Sequence, residues 1–470
     1  TNNSSDIVMY GRSPMVEVLN KAIASAESAY KILPTYDKLK GLNNATITSR
    51  QYASKGSCTA LLAQIYAWKG SVEELYGLDG NPREDYQKAI DYATLLIEGK
   101  VGNYSLCSSP EELCYKLSHP DETNPEAIFT LTFDKARSTD SQTPNDVATA
   151  YLSWPVKETA QKGDIPYDTY LQLYASTVND MYKDPADQRR EAFFYQIDTP
   201  VEVDGTEYAI PYKFRNCLYN QNEFSETGKD FRSVDADYVY WRLADLILLR
   251  AECYNKLGQT DLAIADLNTI RNRAGAATYP SIYDNGDLKR AIFNEREKEF
   301  IGENDERYYD IIRNGYIQEE LQGKFQTLTN SDIKNGALFL PIPSNAYSDK
   351  DGKVTNTMIL DALYVNFHKI REQENEKDIS YHGGSGSHLR HCHFLHKIQL
   401  RGHRHSQWLS RLHHVGLLPP RFLQLGLTCR HDRACWSPRA IHGNQFLWQE
   451  LDRVRHHQPQ HSPLPLAKWL

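Results

Sequence analysis

No run of about 18 apolar residues occurs in the 470-residue chain, so nothing in it is suited to crossing a bilayer as a helix. The opening residues, Thr1-Asn-Asn-Ser-Ser-Asp6, carry neither a basic nor an apolar stretch, so no signal peptide is expected within it. Cys-x-x-Cys pairs are absent as well. Cys58, Cys107, Cys114, Cys217 and Cys253 are scattered through the body and Cys392, Cys429 and Cys435 lie near the end, a pattern that excludes a disulfide framework. Cys107 and Cys114 are near enough in sequence to close a small loop, but isolated thiols are expected. The final segment lacks tyrosine altogether, since none of the 30 tyrosines lies beyond Tyr381, whereas 14 of the 16 histidines fall in residues 382–470. Charge divides at the same place, with a net +9 over residues 383–470 and −17 over the remainder. An acidic body of this kind argues against nucleic acid as a partner, because phosphate contacts need a basic surface.

Histidine is most concentrated between His388 and His405, where six histidines and Cys392 fall within eighteen residues. These are zinc-ligand types, and His393 and His396 stand one helical turn apart. A metal site also needs surrounding structure to fix its ligands. The segment offers no hairpin, helical stripe or domain-sized core, so no metal and no cofactor is expected. Residues 383–470 are read as a disordered or out-of-frame tail, and 365–382 as a linker.

Helical periodicity dominates the body. Val18, Leu19, Ala22, Ile23, Ala26, Ala29 and Tyr30 predict a helix ending before Pro34, and further helices are expected over Thr48–Lys69, stopped by Gly70, and Asp85–Glu98, stopped by Gly99. The clearest signal spans Tyr240–Gly258, with Leu243, Leu246, Ile247, Arg250, Ala251, Tyr254 and Leu257 on one stripe. Its partner is expected over Asp261–Ala274. The two pairs share a pattern: Ala63-x-x-Tyr66-x-x-x-Gly70 followed by Ala89-Ile90, and Ala251-x-x-Tyr254-x-x-x-Gly258 followed by Ala263-Ile264. Small residues permit close helix approach, the aromatic fills the space between them and glycine turns the chain, as in tetratricopeptide-like helical pairs. An insertion around Glu73–Pro82 argues against a regular solenoid. From about 100 to 240 periodicity weakens, and long loops are expected with short strands at Ala127–Phe133 and Glu207–Phe214.

Four landmarks follow in order: Arg242-Leu-Ala-Asp-Leu-Ile-Leu-Leu-Arg-Ala-Glu252, Leu267-Asn-Thr-Ile-Arg-Asn-Arg-Ala-Gly275, Ala291-Ile-Phe-Asn-Glu-Arg-Glu-Lys-Glu-Phe300 with Glu306-Arg-Tyr-Tyr-Asp-Ile-Ile-Arg313, and Leu340-Pro-Ile-Pro343. Together they resemble the SusD/RagB family, over residues 1–364. On their own terms, Glu295, Arg296 and Glu299 with Arg307, Asp310 and Arg313 are alternating charges at helical spacing, suited to clamping adjacent helices. A catalytic carboxylate pair with an arginine is the alternative. Within the resemblance, Arg242, Asp245, Glu252, Arg271, Glu295, Arg296, Glu299, Arg307, Asp310 and Arg313 are structural positions.

The resemblance implies a mainly α, tetratricopeptide-like fold with long irregular loops and a few short strands. It also implies a surface nutrient-binding lipoprotein rather than an enzyme, which captures oligosaccharide and acts with a SusC-like TonB-dependent transporter at the outer membrane. Peptide capture by a relative of the same family, or a protein–protein scaffold, are the alternatives, and a glycosidase is a lesser one. Such family members normally begin with a lipidated cysteine and further helices, so the chain is expected to be an N-terminally truncated fragment. Glycan binding needs flat aromatic faces beside amide, carboxylate and arginine groups. The aromatics outside helical stripes are therefore the candidates: Trp154 with Tyr151 first, then Tyr167, Tyr170, Tyr212 and Phe214, with Arg215 and Asn216 as polar partners. Trp68 and Trp241 are placed at helical core positions and excluded.

Overall fold

Pro14 leads into the first helix, α1, over Met15–Ile32. The computed structural model describes residues 13–132, 156, 172–225, 227–303 and 306–339, all within Thr1–Gly426, the first of two units into which the chain divides. The second unit, Leu427–Leu470, the histidine-rich cluster and Leu340–Pro343 lie outside the described residues.

Helix α2 spans Lys55–Tyr76, not Thr48–Lys69. It starts late because Ser54 and Ser57 form a reciprocal capping box, and it continues through Gly70 to Gly77, whose φ of 62° supplies the left-handed stop. Gly70 serves packing instead: a Cβ there would lie 3.0 Å from Tyr86 Cε1 and 3.1 Å from the Pro82 carbonyl. Helix α3, Pro82–Ile97, begins a turn earlier than expected because Asn81 caps it and proline is tolerated in the first turn. Then come α4 (Pro110–Leu117), β1 (Ala127–Leu131), β2 (Leu173–Tyr174), α5 (Ala175–Met181), α6 (Arg189–Phe193), β3 (Phe194–Tyr195), β4 (Val201–Val203), β5 (Thr206–Pro211), β6 (Cys217–Gln221), β7 (Lys229–Val234) and β8 (Tyr238–Arg242). The second helical pair is α7, Leu243–Leu257, and α8, Thr260–Ala274. Helices α9 (Leu288–Phe300), α10 (Arg307–Asn314), α11 (Ile317–Glu320) and α12 (Asn330–Lys334) complete the described chain.

The largest apolar cluster joins α1, α2, α3, α7 and α8, with Ala60, Ala63, Ala89, Ala93, Ala244, Ala251 and Ala263 at the close approaches. Tyr66, from the first copy of the repeated pattern, stacks on Tyr92 with ring centres 5.8 Å apart. Tyr240, Trp241 and Arg242 belong to β8 rather than to the following helix. Backbone pairing with β1 claims them, and the Leu243 amide donates to the Glu126 carbonyl at 2.9 Å as the helix begins. Trp241 therefore packs half-buried from a strand, while Trp68 packs from α2 against Tyr309 at 5.2 Å. Arg250, on the apolar stripe of α7, is reconciled to it by a two-pronged pair with Asp266 at 2.7 and 2.8 Å.

Neither Cys107 nor Cys114 is in a disulfide, so the two close no loop. Burial pushes the Cys114 thiol up to about 11 and the Cys107 thiol to about 12, leaving neither nucleophilic at neutral pH. Among the described residues no helix is long and apolar enough to cross a membrane, and no cluster of ligand-type side chains is placed to hold a metal.

Tyr104 shows how tightly the repeat is fitted. A Cβ added to Gly56 at the start of α2 would sit 2.1 Å from Tyr104 Oη. Gly56→Ala gains helix propensity of about 1 kcal/mol but forces this buried ring aside, so a net loss of about 1–3 kcal/mol is expected, read as a lower urea midpoint at unchanged slope. A midpoint at or above wild type would show that the ring yields freely.

Candidate functional site

Two sets of polar residues stand out, one buried and one at the surface. The buried set grows from α9. Glu295 and Glu299 are a turn apart and share a helix face. Glu295 takes Arg189 at 2.6 Å and Arg271 at 2.8 Å, while Glu299 takes Arg242 at 2.8 Å, Arg189 at 3.2 Å and Arg273. Glu126, just before β1, accepts from Arg242 at 2.9 Å and Arg273 at 3.0 Å, and Glu303 takes Arg242 at 2.9 Å and Lys213 at 2.6 Å. On the adjacent face of α9, Arg296 reaches Asp245 at 2.8 Å and Asp310 at 2.9 Å. Arg313 pairs with Glu252 at 2.8 Å and with Asp310, and Arg307 with Glu297 at 2.7 Å. These pairs join α6, α7, α8, α9, α10 and the β8 strand into one frame.

Burial pushes the carboxyls of Glu295, Glu299 and Glu303 up, but the facing guanidinium and ammonium groups outweigh it and hold all three below the usual carboxylate range. Glu295 and Glu299 are 0% exposed, and each of their carboxylates is already occupied by arginines. They are geometrically a clamp between elements and face no cleft among the described residues.

The surface set lies on the small sheet built by β2, β3, β4 and β5. Side chains alternate along β5, so Tyr208, Ile210 and the following Tyr212 fall on one face. Register places Tyr174 opposite Tyr208 and Tyr195 opposite Ile210. The rings of Tyr174 and Tyr208 are 5.4 Å apart, and those of Tyr195 and Tyr212 5.3 Å. All four tyrosines are half-buried over the buried Ile210. At the end of this row the Arg215 guanidinium lies 4.3 Å above Tyr212 and grips the exposed Glu111 at 2.9 and 3.2 Å. The result is a row of aromatic faces and hydroxyls ending in an arginine–carboxylate pair.

Of the residues proposed from sequence, Trp154, Tyr151, Tyr167 and Tyr170 lie outside the described residues. Tyr212 and Arg215 meet on the tyrosine face. Phe214 packs into two apolar clusters, and the Asn216 carbonyl accepts from the Asp235 amide at 2.8 Å. Sequence reasoning missed Tyr174, Tyr195 and Tyr208. Tyr208-x-Ile210-x-Tyr212 carried a readable period-2 signal, but Tyr174 and Tyr195 sit in two-residue strands that leave none. A second aromatic group, Phe129, Tyr238, Tyr240 and Trp241, covers the β1–β8 ribbon with neighbouring ring centres 5.4–6.1 Å apart.

The described chain is thus a helical-pair scaffold locked by buried ion pairs, with an aromatic and polar sheet face on the small sheet. Comparison with known proteins makes this specific. Residues 125–358 match the model of the SusD family. SusD-like protein P25 of Formosa agariphila is 35% identical over 111 residues, covering 22% of this chain and 21% of the relative, and SusD-like protein P38 of the same organism is 33% identical over 107 residues, covering 21% of each. The chain thus matches about a fifth of the length of these curated relatives. A SusD homolog from Bacteroides thetaiotaomicron superposes with a TM-score of 0.53 at 21% identity, covering 71% of this chain and 66% of that one. A SusD superfamily protein from the same organism gives 0.52 at 18% identity, covering 74% and 68%. The chain belongs to the SusD family.

Proposed function

We propose that this protein is a nutrient-capture protein of the outer membrane that binds an oligosaccharide and passes it to a SusC-like TonB-dependent transporter, held at the cell surface through a lipid anchor. Family membership supports the reading, and the observation that carries it is the row of half-exposed tyrosines beside Arg215 and Glu111. Aromatic faces accept the C–H faces of sugar rings, while hydroxyl, guanidinium and carboxylate groups exchange hydrogen bonds with sugar hydroxyls. Trp154, Tyr151, Tyr167 and Tyr170 are proposed as further ligand-binding residues. Binding of this kind needs neither nucleophile nor cofactor.

Titration against a panel of neutral oligosaccharides, with analysis of products, tests the proposal. Unaltered recovery of a bound sugar is expected, with affinity about fivefold weaker in Tyr208→Ala, Tyr212→Ala and Trp154→Ala, since the loss of one stacking ring removes on the order of 1 kcal/mol. Hydrolysis of the sugar, or binding to none of the panel, would overturn it. Full affinity in all three variants would place the binding surface elsewhere.

A further inference from the structure

Buried guanidinium groups in this fold have carboxylate partners: Arg189, Arg242, Arg271, Arg296 and Arg313 each meet at least one. Arg50 breaks the pattern. Among the described residues its side chain forms no ion pair and no hydrogen bond, and Nη1 is shut off from solvent, as is the Oη of Tyr104, which has the Ser54 hydroxyl beside it. Its guanidinium carbon lies 3.2 Å from the centre of the Tyr36 ring and 5.4 Å from that of Tyr104, and the two rings are 5.3 Å apart.

The surroundings hold this arrangement in place. Tyr36 Oη donates to the Asn103 carbonyl at 2.9 Å, and the Arg50 carbonyl accepts from the Thr130 amide of β1 at 3.3 Å. Gly102 gives the rings room, for a Cβ there would come within 2.9 Å of Tyr104 and 3.0 Å of Tyr36. Gly56, at the positive N-terminal end of the 22-residue α2, does the same for Tyr104 Oη. Asp37, on the adjoining exposed turn, makes no direct ion pair with Arg50, although the Arg50 charge is among the influences that hold its carboxyl below the usual range, behind the hydrogen bond from Thr35.

A guanidinium laid flat on an aromatic ring keeps its charge, and its remaining donors lie in the plane of the fork, the geometry that matches a planar or tetrahedral oxyanion. Buried donors without acceptors are rare in native folds and mark a missing partner. We propose that Arg50 and Tyr104 Oη form a subsite for an oxyanion, the carboxylate or sulfate group of a ligand, entering along the half-exposed edge of Arg50. This goes beyond neutral glycan capture, because the anion is recognised whether a sugar carries it or it arrives free.

Calorimetric titration of the full chain with sodium glucuronate, sodium sulfate and glucose, at ionic strength fixed with sodium chloride, tests the site. Saturable binding of glucuronate, of sulfate or of both is expected, the first identifying a carboxylate site and the second a sulfate site, with no uptake of glucose here. Arg50→Gln should weaken the anion about tenfold or more, as loss of a charge-assisted bond does, and Arg50→Lys less, since it keeps the charge but not the fork. Should Arg50→Gln fail to fold, Tyr104→Phe removes only the hydroxyl and is expected to weaken the same anion. Binding of neither anion by the wild type, or unchanged affinity in a folded Arg50→Gln or Tyr104→Phe, overturns the proposal. Affinity of Arg50→Gln for neutral oligosaccharides should stay at the wild-type level, so a failure of this subsite and a failure of the glycan reading are told apart.

Discussion

Arg242→Met is expected to cost about 3–5 kcal/mol, a large part of the stability of an ordinary domain. Arg242 is 1% exposed and is shared by three carboxylates, those of Glu126, Glu299 and Glu303, at 2.8–2.9 Å. Methionine fills much of the same volume over Phe300, where the guanidinium carbon sits 4.4 Å from the ring centre, so the loss reports charge rather than a cavity. What makes it severe is the state left behind: buried carboxylates keep their desolvation cost after the compensating cation has gone. An exposed pair provides the contrast. Asp198, 74% exposed at its side chain, meets Arg190 at 2.7 Å, and Asp198→Ala should change stability by about 0–1 kcal/mol. Urea denaturation of the two variants beside wild type measures both effects. A double variant, Arg242→Met with Glu303→Gln, should lose less than the sum of the single changes, because the second substitution removes one of the orphaned charges. Equal, small losses in Arg242→Met and Asp198→Ala would mean that the frame is not what locks these helices together.

How much of this was legible in the sequence follows from the range of the interactions involved. The helical pairs were readable because each is a local pattern: alanines and a tyrosine on one stripe, then a glycine. Gly70 misled because the same residue that ends one helix permits close packing inside another, and only Tyr86, sixteen positions away, distinguishes the two roles. The β8 strand was mistaken for helix because its apolar run continues into α7, while its pairing partner β1 lies more than a hundred residues earlier. The buried frame was half-visible. Glu295, Glu299 and Arg296 announce themselves at helical spacing, but Glu126, Lys213 and Glu303 come from turns and loops, and Arg189 from a helix of five residues, with no periodic context. The tyrosine face was harder still. Its rings meet only through the register of β2, β3 and β5, and that register is set by tertiary contacts rather than by the propensity of two-residue strands.

Acid should unfold the protein through the same frame. Glu252, Glu295, Glu299, Glu303 and Asp310 are fully buried; burial raises each carboxyl, and the adjoining arginines more than reverse it, so all five are held below the ordinary carboxylate range. Their folded pKa values lie below those of the unfolded chain, where a carboxyl titrates near about 4. The unfolded state therefore binds more protons as pH falls. The stabilisation is fully present above the unfolded value and is lost as pH drops through that value towards the folded one. Asp85 and Asp266, raised by burial, act in the opposite sense and offset part of the change. One strongly depressed carboxylate contributes about 2–3 kcal/mol at neutral pH, so a shared set should produce a steep fall in the urea midpoint between about pH 5 and pH 2 after a plateau near neutrality. A midpoint that stays level down to pH 3 would be incompatible with the frame. Arg242→Met supplies the internal check. Without that cation Glu299 and Glu303 lose much of what holds them ionised, so the acid limb of the variant should begin at higher pH and be shallower than in wild type.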